Sequence, residues 1–271
     1  MLKDSPIVYS IANQKGGCGK TTLTLSLGAS LTKMGYRVCL VDFDAQANLT
    51  MGLGYSRPDE LPVTIVHIVD EIIKDGFDLD KSKSLKEKRY LLNSQGMDFV
   101  PSSIDLANSE NILINTISRE TVLKRFIDYI KKDYDFVLID CMPSLNILTI
   151  NALNASDKVL IPVQAQFFSV KGLELLLKTI MKIRESLNPN LAISGVLINM
   201  FDYRYNFHNE VADVITETYG KHLKVFNARI PSSVKVTEAQ ARGKSIFEYD
   251  ADGKVSESYN LFAKELIGNE R

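Results

Sequence analysis

The chain has 271 residues, 45% of them hydrophobic and 24% charged, enough for one sizeable core and short for two ordinary domains. A formal net charge of −1 and a pI near 6.3 exclude a nucleic-acid partner recruited by overall charge, so any such binding must come from a local patch. Cys18, Cys39 and Cys141 are widely spaced with no C-x-x-C, which excludes a disulfide framework and a zinc site and leaves reduced thiols.

Ile7-Val8-Tyr9-Ser10-Ile11-Ala12 is β-branched and aromatic, as expected of a buried first strand. It runs into Asn13-Gln14-Lys15-Gly16-Gly17-Cys18-Gly19-Lys20-Thr21-Thr22, placed between a strand and a helix where a phosphate-cradling loop belongs. Gly16, Gly17 and Gly19 let successive N–H groups turn toward an anion, Cys18 and Thr22 flank it, Lys20 reaches terminal phosphates, and the Thr21 hydroxyl suits Mg²⁺. The following helix shows its face through Leu23, Leu27, Leu31 and Met34 and stops at Gly35.

Arg37 to Asp42 reads as a second strand that delivers Asp42 and Asp44 at its C-terminal end, the edge where open α/β sheets hold ligands. Between Arg57 and Asp98 periodicity weakens; a short helix through Ile65, Ile68, Val69 and Ile72 sits in a surface excursion whose Lys81–Arg89 run carries five basic residues against one acid. Met97 to Pro101 returns to strand character, and Ser102 to Leu106 reads as a helix entry.

A helix over 119–132, with Val122, Leu123, Phe126, Ile127 and Ile130 on one side, leads into the strand Tyr134 to Asp140. Asp140, at that strand's tip, is placed to bind the water shell of Mg²⁺. Two more apolar strands, Lys158 to Val163 and Ala192 to Asn199, bracket an amphipathic helix marked by Leu173, Leu176, Leu177, Ile180, Ile183 and Leu187. Alternating strands and helices imply an α/β chain with a mostly parallel twisted sheet covered on both faces. Residues 221–247 hold six basic side chains, Lys221, Lys224, Arg229, Lys235, Arg242 and Lys244, against the acid Glu238; such an excess is the candidate DNA-binding patch.

Lys15-Gly16-Gly17-Cys18-Gly19-Lys20-Thr21, with Gln14 where an ordinary Walker A motif has glycine, resembles the deviant Walker A motif of the ParA/MinD family of P-loop ATPases. The resemblance covers about residues 6–267, a single ATPase domain over 1–271. It implies that Lys15 reaches the partner subunit's nucleotide and that Asp44, within Asp42-Phe43-Asp44-Ala45-Gln46-Ala47-Asn48-Leu49-Thr50, positions the attacking water. Asn199 before Met200-Phe201-Asp202-Tyr203-Arg204 would hydrogen-bond the base, and Ile230-Pro231 would close over adenine. Met142 and Ser232-Ser233 depart from the family pattern, the latter removing a basic contact. The tail Ser256 to Ile267 is not basic, unlike a membrane-targeting helix, and six residues before the first strand leave no room for an operator-binding domain.

The family reading is therefore a short ParA-type DNA-segregation ATPase using ATP and Mg²⁺. It implies an ATP-sandwich homodimer, non-specific DNA and a ParB-like partner, in a cytoplasmic, nucleoid-associated protein without a membrane partner. The alternatives are an ATPase that positions a protein cargo over the nucleoid and a MinD-like spatial regulator.

Overall fold

The computed structural model describes residues 5–74, 87, 89–166 and 169–270. Most of the Lys81–Arg89 run falls outside the described residues. The strands are β1 (Ile7–Ile11), β2 (Val38–Phe43), β3 (Leu92–Ser94), β4 (Met97–Val100), β5 (Phe136–Cys141), β6 (Lys158–Gln164), β7 (Ala192–Phe201) and β8 (Val225–Pro231). The helices of four or more described residues are α1 (Lys20–Lys33), α2 (Asn48–Gly52), α3 (Ile65–Lys74), α4 (Leu106–Ile114), α5 (Val122–Ile130), α6 (Ile147–Asn154), α7 (Ser169–Ser186), α8 (Asn206–Tyr219), α9 (Val234–Ala241), α10 (Ile246–Tyr249) and α11 (Lys254–Gly268).

All strands join one sheet of order β3-β4-β2-β5-β1-β6-β7-β8. Its pairs are parallel except β3 with β4. Every position of β2 and β5 is buried, which explains why these strands read as continuous apolar runs; helices cover both faces, so neither face needs polar residues. Successive side chains divide between two apolar layers. Val8, Val41, Val137 and Val159 face the layer shared with α3, α5, α6 and α7, whereas Tyr9, Leu40, Leu138 and Leu160 face that of α1 and α11. Phe262 of α11 meets Phe226 of β8 edge to face at 4.9 Å, anchoring the last helix on the sheet.

The sequence reading did not foresee the antiparallel edge. Gln95 and Gly96 both have positive φ, 57° and 77°, the signature of a tight two-residue hairpin turn. Leu92-Asn93-Ser94 lacks the apolar alternation that would have marked β3. The consequence for the site is set by register: Ile11 and Asp42 each pair with Asp140, and Gln164 pairs with Asn199. The C-terminal ends of five strands, β1, β2, β5, β6 and β7, therefore share one edge, and the loops that follow them converge there.

Candidate functional site

The loop between β1 and α1 is braced from β6 and β7. Asn13 Nδ2 donates to the Pro162 carbonyl at 2.7 Å while its Oδ1 accepts from the Lys15 N–H at 3.0 Å. Gln164 Nε2 donates to the Gly17 carbonyl at 2.8 Å, and Asn199 Nδ2 to the Cys18 carbonyl at 3.0 Å. Gly17 and Gly19 adopt φ of 71° and 83°, and a Cβ at Gly19 would lie 2.4 Å from Asn199 Nδ2. Only glycine satisfies both the left-handed backbone and that close approach. Gly19 caps α1 without a side-chain hydrogen bond, and the helix has no acid in its first turn. Its N-terminal N–H groups and dipole are thus left for an anion.

The two lysines of the motif stand in different places. Lys20 is 6% exposed and its Nζ lies 3.4 Å from the Lys15 carbonyl, inside the curve of the loop. Lys15 is half-buried and its Nζ donates to Gln166 Oε1, just beyond β6. One ammonium serves the loop's own cradle and the other sits on its rim.

Three carboxylates converge at the ends of β2 and β5. Asp42 Oδ2 accepts from the Thr50 N–H and hydroxyl at 2.8 and 2.7 Å; burial nevertheless pushes its pKa up to about 7. Asp44, 7% exposed, accepts from the Gln46 N–H through Oδ1 at 3.0 Å. Asp140 is 1% exposed and neither oxygen has a hydrogen-bond partner. Burial first, and the neighbouring Asp42 second, hold its pKa well above the carboxylate range, against the pull of the Thr21 hydroxyl and the Lys20 ammonium. An orphaned buried carboxylate beside a hydroxyl fits a hard divalent cation. Among the described residues no cluster of three or more His, Cys, Asp or Glu could enclose a metal. Mg²⁺ takes one or two protein ligands and completes its shell with phosphate and water.

A cleft of about 420 Å³ opens in front of these groups. It brings together Gly17, Gly19, Lys20, Thr21, Thr22 and Asp44. Gln46, Met51, Pro143, Met200 and Gln240 also border it; sequence reasoning gave none of them a role, although Gln46 and Met200 lie within the motif stretches quoted above, while Met51 and Gln240 arrive on α2 and α9 with no local motif to announce them. Gly16 is exposed at the start of the loop. Cys18 is buried and burial pushes its thiol up; Cys141, likewise buried, is pushed up to about 12. Both are inert fillers and not nucleophiles. Asn199, expected at the base, is 1% exposed with its amide spent on Cys18 and its oxygen on the Met200 N–H. In this structure it braces the loop. Ile230 lies in the apolar layer of α1 and α11, and Pro231 ends β8 beside Phe201; neither is in the cleft wall described above.

The six basic residues of 221–247 are not equivalent. Lys224 is paired with Glu265 at 2.9 Å and Lys235 with Asp250 at 2.8 Å. The Arg229 guanidinium lies 4.8 Å from the Phe201 ring centre, and that of Arg242 4.8 Å from the Tyr249 ring. Lys221, Arg242 and Lys244 are exposed. Glu265 and Asp250 lie outside the sequence window that suggested the patch, so counting charges along the chain overstated its excess.

The AAA domain family matches residues 7–193. The chain is 40% identical over 262 residues to the sporulation initiation inhibitor protein Soj of Bacillus subtilis (strain 168), covering 97% of this chain and 98% of that protein. It is 38% identical over 266 residues to the chromosome partitioning protein ParA of Caulobacter vibrioides (strain NA1000 / CB15N), covering 97% and 95%. Cobyrinic acid a,c-diamide synthase from Mycobacterium smegmatis, solved with bound ATP analog and magnesium, superposes with a TM-score of 0.79 at 33% identity, covering 97% of this chain and 94% of that one.

Proposed function

The chain belongs to the ParA/Soj group of partitioning ATPases with an AAA domain, and on that premise we propose that it is an ATP-dependent DNA-segregation ATPase acting as a homodimer. Two subunits, each a single ATPase domain, sandwich ATP, bind DNA without sequence preference, and turn over slowly until a ParB-like partner stimulates them. The protein would then sit on the nucleoid. The observation that most supports this reading is the separation of the two lysines. Lys20 is buried in the cradle, and Lys15 reaches outward to Gln166 on the rim; a cation on the rim can serve a facing subunit's phosphates.

Each residue's task follows from its position. The loop amides and the N-terminus of α1 hold phosphate oxygens, with the Lys20 ammonium at the terminal phosphates. Thr21 and Asp140 would hold Mg²⁺, which when bound would neutralise charge that develops on the phosphate oxygens. Asp44 spends Oδ1 on the Gln46 N–H, leaving its other oxygen to accept a hydrogen bond from the attacking water. Phosphoryl transfer needs little more than such positioning and charge stabilisation. Asn199 contributes by fixing the Cys18 carbonyl.

The reading is tested by capture from extract with ATP-locked protein carrying Asp44→Ala. A centromere-binding protein in the captured material supports segregation. Capture of an adaptor for a protein assembly, with no centromere-binding protein, would replace it with the cargo-positioning alternative.

A further inference from the structure

Helix α9 carries Lys235 and is followed by Arg242 and Lys244, and this basic segment touches the phosphate loop directly. Gln240 Nε2 donates to the Thr22 hydroxyl at 3.1 Å, and Thr22 lines the cleft. At its far end the segment packs backbone on backbone: a Cβ on Gly243 would lie 2.5 Å from Gly54 Cα, with φ of +63° at Gly243 and +101° at Gly54. Gln95, in the β3–β4 turn, donates to the Gly243 carbonyl at 3.1 Å. Gly54 closes the segment that begins with Asp44 and passes through α2. The basic segment thus rests on two parts of the nucleotide site, the phosphate loop and the stretch after Asp44.

We infer that Gln240 is the positioning residue that couples nucleotide occupancy to the basic segment, an inference that rests on the DNA-binding reading above. A threonine hydroxyl has one donor and two acceptor sites. Without a ligand the Thr22 hydroxyl accepts from Gln240 while its own proton can rotate. With a phosphate oxygen in the cleft the hydroxyl donates to it and still accepts from Gln240, so the chain runs Gln240 N–H to Thr22 O–H to phosphate. Successive hydrogen bonds in such a chain polarise and strengthen one another. The phosphate therefore tightens the hold on α9 and on the Arg242 and Lys244 that follow it. Nucleotide and DNA then favour the same arrangement, and each must raise the affinity of the other by the same factor.

The experiment measures affinity for a random duplex with and without a non-hydrolysable ATP analogue, and affinity for the analogue with and without DNA. Wild-type protein should show equal enhancements in the two directions. Gln240→Met keeps the length of the side chain without the amide; it should reduce both enhancements by about three- to tenfold, the range for one neutral hydrogen bond. Thr22→Ser, which keeps the hydroxyl, should preserve them. If wild-type protein gains no DNA affinity from the analogue, the DNA-binding reading falls and the coupling with it. If wild-type protein gains affinity and Gln240→Met gains as much, the coupling alone falls. A variant that loses DNA affinity equally in both nucleotide states would make Gln240 a structural support and overturn its coupling role.

Discussion

Asp42 and Asp140 are register partners on adjacent parallel strands, both buried; Asp42 accepts from the Asp44 and Thr50 N–H groups and the Thr50 hydroxyl, whereas Asp140 feels the Thr21 hydroxyl and the Lys20 ammonium without a formed hydrogen bond. A carboxyl whose pKa is raised in the folded chain binds more protons folded than unfolded. Its stabilising contribution is full below the unfolded pKa and is lost as pH rises through the folded value. For Asp42 that window runs from 3.8 to about 7; Asp140, also raised, loses its share over a window that starts at the same 3.8.

Asp140→Asn should therefore stabilise the nucleotide-free, Mg²⁺-free protein at pH 7.5, because it removes a charge that burial disfavours. The gain should shrink as pH falls toward 4, where both proteins carry a neutral group. The same variant should lose Mg²⁺-dependent hydrolysis. Urea unfolding of variant and parent from pH 4 to 8 isolates the difference, and a variant less stable at every pH would mean Asp140 has a stabilising partner.

Asp44→Ala should retain nucleotide binding and ATP-dependent dimerisation while hydrolysis falls by about two orders of magnitude, in line with the loss of a group that acts in the transition state. Single-turnover measurements separate chemistry from binding. Turnover at the parent rate would remove Asp44 from the mechanism.

The two lysines separate by assay. Lys20→Ala removes the buried ammonium of the cradle, and nucleotide binding by the monomer should be lost. Lys15→Ala leaves the cradle intact and should bind ATP without forming a competent dimer, because its ammonium stands on the rim. Equilibrium binding and sedimentation with ATP distinguish the outcomes. A Lys15→Ala protein that dimerises and turns over normally would sink the proposed role in trans.

How much of this was legible follows from the range over which each signal acts. The phosphate loop, its two lysines and the strand-tip acids were readable because glycine, lysine and aspartate occupy fixed offsets from apolar runs, and those offsets are local. Asn13, Gln164 and Gln240 escaped notice because a glutamine or asparagine declares nothing until its partner is known, and the partners are 149, 147 and 218 residues away. The turn at Gln95-Gly96 was missed because glutamine rarely adopts positive φ; here its side chain is held by the Gly243 carbonyl. The basic patch was legible as composition and misleading as charge, since Glu265 and Asp250 reach it only through the fold.

That correction reshapes the expectation for DNA. Lys224 and Lys235 begin in ion pairs, so engaging a phosphate requires each to leave a carboxylate, and removing either uncovers a negative charge. Lys221, Arg242 and Lys244 have no ion pair among the described residues and can meet phosphates at lower cost. If the ATP dimer neutralises roughly 4 to 6 phosphates, log K should fall with log salt at a slope of about −4 to −5. Arg242→Ala and Lys244→Ala should each make that slope shallower by about one, uniformly across sequences, because phosphate contacts carry no base readout. Lys235→Ala should change it by less. The measurement is binding of Asp44→Ala protein with ATP to random duplexes over a salt series. No ATP-dependent binding at low salt would leave a switch ATPase without a DNA track. Slopes unmoved by Arg242→Ala and Lys244→Ala would move the contact elsewhere, with the Lys81–Arg89 run as the next candidate because it holds five basic residues against one acid.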